Sequence, residues 1–541
     1  MPTIKIQRFT GQVPGTSGLR KKVSVFQQPG YVESFIQAIF NAVPTLKGAT
    51  LVVGGDGRFG NTAAIDATLR IAAANGVARV VIGRDGILST PAASHLIRLH
   101  GAAGGIILSA SHNPGGPEGD MGIKFNGSNG GPATEAVTGA IAAEAARLEC
   151  YEIVDALPPK LDVIGQARLG TMAVDVVDPV ADYAQLMTTL VDFDAIRRWL
   201  AAGHRVRIDA MHAVAGPYAR HIFETLLGAA PGSVINAEPS PDFAGGHPDP
   251  NPVYAAGLVS AMHQPDAPDF AAAFDGDADR NMILGPKLVL TPSDSLAILA
   301  AHATRLPQFR HGLAGVARSM PTSRAVDVVA KAMGFPCFET PTGWKFFGNL
   351  LDAGRIGLCG EESYGTGGDH VREKDGVWTA LCWLNLLAVL DRPLNDIVAA
   401  HWARFGRHYY SRHDYEGLPI ESGEAVMAAL RGKLDTLAGT ALGALRVTRA
   451  ADFAYTDPVD GSTSVRQGVC IEFDGGSRVV FRLSGTGTEG ATLRVYLERY
   501  EPDPAAHGLA PQTALAPMIV AAHALAELTS HTGRMAPDVV T

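Results

Sequence analysis

In the first third of the chain, short wholly apolar runs alternate with longer stretches whose apolar residues recur every three to four positions. Residues 49–53 (ATLVV), 78–82 (ARVVI) and 105–108 (GIIL) read as buried strands. Residues 63–74 read as a helix, ended by Asn75-Gly76. Strands alternating with helices predict βαβ units and a parallel sheet. The alternation recurs further on, with a helix over 182–200, a strand over 205–209 and a helix over 218–227. A Pro- and Gly-rich loop follows at 238–252, then a wholly apolar strand at 270–274 (FAAAF). A strand at 313–317, a helix near 323–333 and a strand at 356–359 repeat the theme. The tail changes period. Residues 465–473, 477–483 and 492–500 alternate like antiparallel strands, and 517–528 reads as a closing helix.

These patterns predict three consecutive α/β domains with parallel or mixed sheets, over 1–178, 179–292 and 293–390, and a C-terminal α+β domain over 400–541. The tail domain is expected to close over a central cleft made by the first three. A length of 541 residues suits this count, at about 150 residues per domain.

Composition narrows the functional classes. With 46% apolar and 18% charged residues, the chain is not of a disordered type. A formal net charge of -9 argues against a nucleic-acid partner, which needs a basic field. No apolar run approaches the ~18 residues of a membrane span, and 381–390 reads as a core helix. The five cysteines form no CxxC pair and read as buried reduced thiols. The first residues lack an apolar signal core, so a cytoplasmic location without membrane attachment is expected.

Four constellations carry candidate chemistry. Ser109 to Gly116 (SASHNPGG) follows the strand GIIL, where α/β sheets place ligands. Ser111 is a candidate nucleophile with His112 beside it; the alternative is an ordinary turn rich in Ser, Asn, Pro and Gly. Next, Asp275, Asp277 and Asp279 follow the apolar strand FAAAF at alternate positions. Three such carboxylates suit one hard divalent cation. An EF-hand is excluded, because Arg280 stands at its glycine position and Pro286 at its glutamate position. A phosphatase with an aspartate nucleophile is a competing reading.

The third constellation is a pair of GxGxxG loops. Gly55 to Gly60 (GDGRFG) follows a strand and opens a helix, and Asp85 lies 25 residues beyond Gly60. That context admits a dinucleotide site or a plain tight turn, although Asp56 and Arg58 crowd it. Ser484 to Gly490 instead joins two strands. Its backbone, with Ser484, Thr486 and the flanking Arg482 and Arg494, suits a phosphate. Fourth, the turns 340–345 (TPTGWK), 360–365 (GEESYG) and 372–376 (REKDG) cluster acceptors and donors suited to sugar hydroxyls.

Taken together, LSASHNPGG with GIKFN, FDGDADRNM, GEESYG with REKDG, and RLSGTGTEGATLRVY resemble the α-D-phosphohexomutases. GTSGLRKK near the start, IDAMHAVAGPY and TGWKFFGNLLDAG agree, so the resemblance runs through nearly the whole chain in order. GEESYG is similar to the glucose-specific version of its motif. The resemblance implies interconversion of glucose 1-phosphate and glucose 6-phosphate, with Ser111 carrying the phosphoryl group and glucose 1,6-bisphosphate as intermediate. It implies Mg²⁺ on Asp275, Asp277, Asp279 and an oxygen of phosphorylated Ser111. Arg20 and Arg280 would lie near the transferred phosphate, Lys124 and Lys374 would carry protons, and His112 would flank the nucleophile. Thr342, Gly343, Glu361 and Ser363 would hold the sugar, with Thr16, Asp279 and Lys374 also at the substrate. Arg482, Ser484, Gly485, Thr486 and Arg494 would hold the non-reacting phosphate. The Gly55–Gly60 turn then becomes structural.

The implied partner is a small sugar phosphate, and the implied assembly a monomer or weak homo-oligomer. The metal loop departs from the family's DGDGDR at Ala278, and Tyr364 stands where Phe is usual. A mannose-phosphate mutase, an NAD-linked oxidoreductase and a non-catalytic relative are the alternatives.

Overall fold

The computed structural model describes residues 2–15, 17–484 and 490–541. Thr50–Gly55 forms the centre of a seven-stranded sheet, paired in parallel with Arg79–Ile87 on one side and Gly104–Leu108 on the other. Met172–Val177 extends the parallel run, while Asp120–Gly127, Leu19–Lys22 and Gly165–Leu169 are antiparallel. Helices on both faces bury the central strands, which is why these read as unbroken apolar runs rather than alternating ones.

Two smaller sheets repeat the plan. In the second, Val206–Asp209 pairs in parallel with Val234–Ile235 and Phe270–Phe274, and Asn281–Gly285 and Leu288–Leu290 return antiparallel. In the third, Val316–Ser319 pairs in parallel with Cys337–Thr340 and Leu358–Glu361, and Gly365–Gly368 returns antiparallel. The kinship between units, visible in sequence only as a pattern, is thus a shared device. A parallel strand ends, a loop follows, and an antiparallel strand comes back beside it. Ser111, the Asp275–Asp279 carboxylates and Glu362–Tyr364 each sit in that loop of their own sheet.

One apolar core runs through all three units. Helix Gly376–Leu390 is buried along most of its length and packs on helix Phe193–Ala201. Among the described residues no single helix is long and apolar enough to cross a membrane. The last unit is a seven-stranded sheet, antiparallel throughout, with helices Ile420–Leu437 and Pro511–Ala526 on one face and a core of its own. Its other face sets Tyr410, Cys470, Val480 and Tyr496 against Met320 of the third unit. There Arg478 donates to Glu498 Oε2 at 2.6 Å, to the Met320 carbonyl at 2.8 Å and to the Thr322 carbonyl at 2.5 Å. Three α/β units and a C-terminal α+β unit are the expected fold class.

Element boundaries differ in instructive places. The expected helix over 182–200 is two, Ala181–Leu190 and Phe193–Ala201. Asp192 breaks it by accepting from the Ala195 N–H at 2.8 Å as an N-cap. The closing helix starts at Pro511, not 517, and tolerates Pro517 inside it. The strands expected at 313–317 and 356–359 lie two or three residues later, as Val316–Ser319 and Leu358–Glu361.

Candidate active site

Ser111 lies three residues past the end of Gly104–Leu108, in the loop that follows it, and is 2% exposed. Its φ of +52° is left-handed, uncommon for a non-glycine residue. In that conformation its Oγ donates to Asp275 Oδ2 at 2.8 Å. Gly276 allows this approach, since a Cβ there would collide with the Ser111 carbonyl. His112 Nδ1 lies 3.4 Å from Ser111 Oγ. Burial, with Arg280 and Arg20 nearby, pushes His112 well below the usual histidine range and keeps it neutral.

Asp275, Asp277 and Asp279 are all buried, with one carboxylate oxygen of each within 4.8 Å of the others. Asp275 Oδ1 accepts from the backbone N–H groups of Asp279 and Arg280, both at 2.9 Å. Asp277 Oδ2 accepts from Thr90 Oγ1 at 2.6 Å, and Asp279 Oδ2 pairs with Lys374 Nζ at 2.9 Å. Asp277 Oδ1 and Asp279 Oδ1 are buried without a hydrogen-bond partner among the described residues. Burial and the two neighbouring carboxylates push Asp275 far above the usual carboxylate range. Clustered buried carboxylates of this kind repel, and a hard divalent cation relieves both the repulsion and the orphaned oxygens. The residues present therefore fit such a cation. Asp275 itself has both oxygens hydrogen-bonded, to Ser111 Oγ and to two backbone N–H groups of its own loop.

Each of the two lysines is held by a buried carboxylate, Lys124 by Glu373 and Lys374 by Asp279. Lys124 Nζ meets Glu373 Oε1 at 2.8 Å, and Asn126 Nδ2 donates to that same oxygen at 2.9 Å. Lys374 is kept protonated by Asp279 despite its burial. Among the described residues, Arg20 and Arg280 each bury an Nε with no hydrogen-bond partner, and Thr342 buries such an Oγ1. Burial pushes Glu361 upward, and its Oε1 accepts from the Gly343 N–H at 3.0 Å. Arg482 donates to the Tyr496 hydroxyl and the Gln467 carbonyl, each at 3.3 Å. Arg494 lies 3.8 Å from Asp414, which also accepts from Arg412 at 3.0 Å.

These side chains meet across a cleft of about 710 Å³. Arg20, His112 and Lys124 come from the first unit, and Arg280 from the second. Thr342, Gly343, Glu361, Ser363 and Lys374 come from the third, and Arg482, Ser484 and Arg494 from the last. Thr16, Gly485 and Thr486 lie outside the described residues. Sequence reasoning missed Arg412, hidden in the long strand Arg407–Leu418, and Asp249, in the Pro- and Gly-rich loop; both line the cleft. It also missed Glu373 as the partner of Lys124. The Gly55–Gly60 turn is filled by its own side chains. Arg58 and Asp56 are ion-paired at 2.9 Å with no exposed side-chain surface, so no pyrophosphate fits against that backbone.

The chain matches the models of phosphoglucomutase/phosphomannomutase α/β/α domains I, II and III over residues 11–152, 181–287 and 292–405. It matches the phosphoglucomutase-1 C-terminal domain over 407–538. The chain belongs to the phosphoglucomutase/phosphomannomutase family. It is an enzyme of the isomerase class, an intramolecular phosphotransferase. A Rhizobium radiobacter phosphoglucomutase is 56% identical over 539 residues, covering 100% of this chain and 99% of the relative. Cytoplasmic phosphoglucomutase 1 of Zea mays is 49% identical, covering 98% of each. Among solved structures, the open form of the Paramecium phosphoglucomutase parafusin aligns with a TM-score of 0.92 at 47% identity, over 100% of this chain and 99% of that one.

Proposed function

We propose that this enzyme interconverts α-D-glucose 1-phosphate and D-glucose 6-phosphate through phosphorylated Ser111 and glucose 1,6-bisphosphate. One observation carries the reading. Ser111 Oγ sits on the buried carboxylate cluster, directly beneath His112 and Arg280, which line the same cleft as Arg482 and Arg494. A hexose with a phosphate at either end spans such a cleft. Ser111 gives its phosphoryl group to the free sugar hydroxyl: the P–Oγ bond breaks, the new P–O bond forms, and the hydroxyl proton leaves to a protein base. The bisphosphate turns end for end, and the other phosphate returns to Ser111 by the reverse steps. Lys124 and Lys374 flank the path as proton carriers, with His112 beside the nucleophile. Arg20 and Arg280 face the transferred group, while Thr342, Gly343, Glu361 and Ser363 hold the ring.

Asp275, Asp277, Asp279 and a phosphoserine oxygen would hold Mg²⁺, which when bound offsets the charge on the transferring phosphate. Thr16, Gly485 and Thr486 belong to the proposed substrate site by motif alone. A cytoplasmic location suits five cysteines that are all free. A monomer or weak homo-oligomer acting on a small-molecule substrate completes the proposal.

The test supplies glucose 1-phosphate, Mg²⁺ and a trace of glucose 1,6-bisphosphate, and follows glucose 6-phosphate. Turnover with a phosphopeptide at Ser111 is expected. Turnover of mannose 1-phosphate in preference to the glucose compound would favour the mannose-phosphate reading instead.

A further inference from the structure

The Gly55–Gly60 turn fits no nucleotide, yet it carries two fully buried charges, and these lead to the nucleophile. Asp56 Oδ2 accepts from Ser109 Oγ at 2.7 Å. Ser109 Oγ in turn accepts from the Ser111 N–H at 2.8 Å. Asp56 also fixes Arg58, through Nε at 2.9 Å to Oδ2 and 3.1 Å to Oδ1. Arg58 Nη2 then donates to the Ser111 carbonyl at 2.6 Å. Its Nη1 donates to the carbonyls of Asp120 at 3.0 Å and Asn113 at 3.3 Å, so one guanidinium ties the serine, its near neighbour Asn113 and the loop's far end together. The Phe243 ring covers that guanidinium, 5.3 Å from its centroid.

Both backbone polar groups of Ser111 are therefore held from one carboxylate, the N–H by way of Ser109 and the C=O by way of Arg58. A residue in the left-handed region persists only where its surroundings over-determine it. We infer that Asp56, Arg58 and Ser109 are positioning residues that lock Ser111 in its left-handed conformation and so aim its Oγ at the reacting phosphate. The inference rests on the function proposed above. It gives the Gly55–Gly60 loop a task in phosphoryl transfer, although no atom of that loop need touch substrate.

The arrangement also explains its own chemistry. An Asp-Arg pair without exposed surface is costly unless each remaining donor and acceptor is used, and here they converge on one loop. Lysine in place of Arg58 has a single ammonium and cannot reach three carbonyls along one planar fork. Alanine in place of Ser109 strands the Ser111 N–H and leaves Asp56 Oδ2 with Arg58 Nε as its remaining donor.

The test is transfer to Ser111 from glucose 1,6-bisphosphate in a single turnover of the dephosphorylated enzyme, read by intact mass, alongside steady-state kinetics. Ser109→Ala and Arg58→Lys should each slow the transfer and lower kcat by ~10–100-fold, as expected for a stranded buried donor. KM for glucose 1-phosphate should stay within about twofold, because substrate contacts are intact. Ser109→Cys keeps the volume and offers only a weak acceptor; it carries the test if the alanine variant does not fold, and should also be slow. A folded Ser109→Ala or Ser109→Cys enzyme that phosphorylates Ser111 at the wild-type rate overturns the inference and leaves the proposed function standing. A wild-type enzyme that accepts no phosphoryl group overturns the proposed function and this role with it.

Discussion

Ser111, Ala278 and Tyr364 are non-glycine residues with left-handed backbone, and each lies in a cleft loop. Their φ values of +52°, +64° and +65° cost on the order of 1–2 kcal/mol apiece for an L-residue. At Ser111, in the proposed mechanism, that cost would accompany the aim of a nucleophile. Ser111→Ala should therefore lower turnover by roughly 10³-fold or more while the thermal midpoint stays close to wild type. A folded variant that turns over normally would remove Ser111 from the mechanism. Two other positions separate backbone strain from crowding. Ala278→Gly relieves the strain but frees the unfolded chain and deletes a buried methyl, each worth about 0.4–1 kcal/mol. The terms nearly cancel, so urea unfolding should shift by less than about 1 kcal/mol and activity should persist. Gly276→Ala, two residues earlier, drives a methyl into the Ser111 carbonyl. It should cost about 1–3 kcal/mol and lower kcat, because the metal loop and the serine loop must part. Equal behaviour of the two variants would refute this account.

At the scale of elements, the strand–loop–return device explains how far the sequence could be read. The run 270–274 was legible to the residue, because a strand buried on both faces leaves no polar position to blur it. The carboxylates after it were legible because three charges at the end of such a strand need a reason. The tie from Asp56 to Ser109 was not, since it joins residues 53 apart in sequence through hydrogen bonds that no periodicity records. The break at Asp192 was missed for a related reason, its apolar period continuing across the cap.

The carboxylate loop yields a direct expectation. Removing divalent cations with excess chelator should abolish turnover, and Mg²⁺ should restore it; full turnover in chelator would exclude the cation. The docking of the last sheet yields another. Burial alone would raise Glu498, but Arg478 and His408 outweigh it and hold it well below the usual carboxylate range. A depressed folded pKa contributes stability above the unfolded value of about 4.3, and loses it as pH falls below that. Glu498→Gln should thus cost about 1–3 kcal/mol at pH 7, by putting a neutral amide against Arg478 and leaving Glu339, 3.7 Å away, as its ion-pair partner. The wild-type advantage should shrink as acid protonates Glu498. An advantage independent of pH down to about 3 would show that this carboxylate is not what holds the sheet in place.

At the scale of the whole molecule, the proposed mechanism divides the cleft into a reacting side and a holding side. Ser111 and the carboxylates belong to the first two units, while Arg482 and Arg494 belong to the last sheet. A substrate that reacts at either of two phosphates must present the other one to a site that does no chemistry. In the proposed mechanism Arg482, steadied by the Tyr496 hydroxyl and the Gln467 carbonyl, and Arg494, beside Asp414, would supply guanidiniums for that site. Losing one charge-assisted phosphate contact costs about 1.5–3 kcal/mol, or roughly ten- to a hundredfold in affinity. Arg482→Ala or Arg494→Ala should therefore weaken glucose 1-phosphate and glucose 6-phosphate by similar factors. Phosphorylation of Ser111 by the bisphosphate should weaken with them, because that sugar uses the same holding site. Paired kinetics on the two monophosphates decide the matter. If one substrate suffers and the other does not, the last sheet reads a single end of the sugar, and the turning of a bisphosphate between two equivalent poses is excluded.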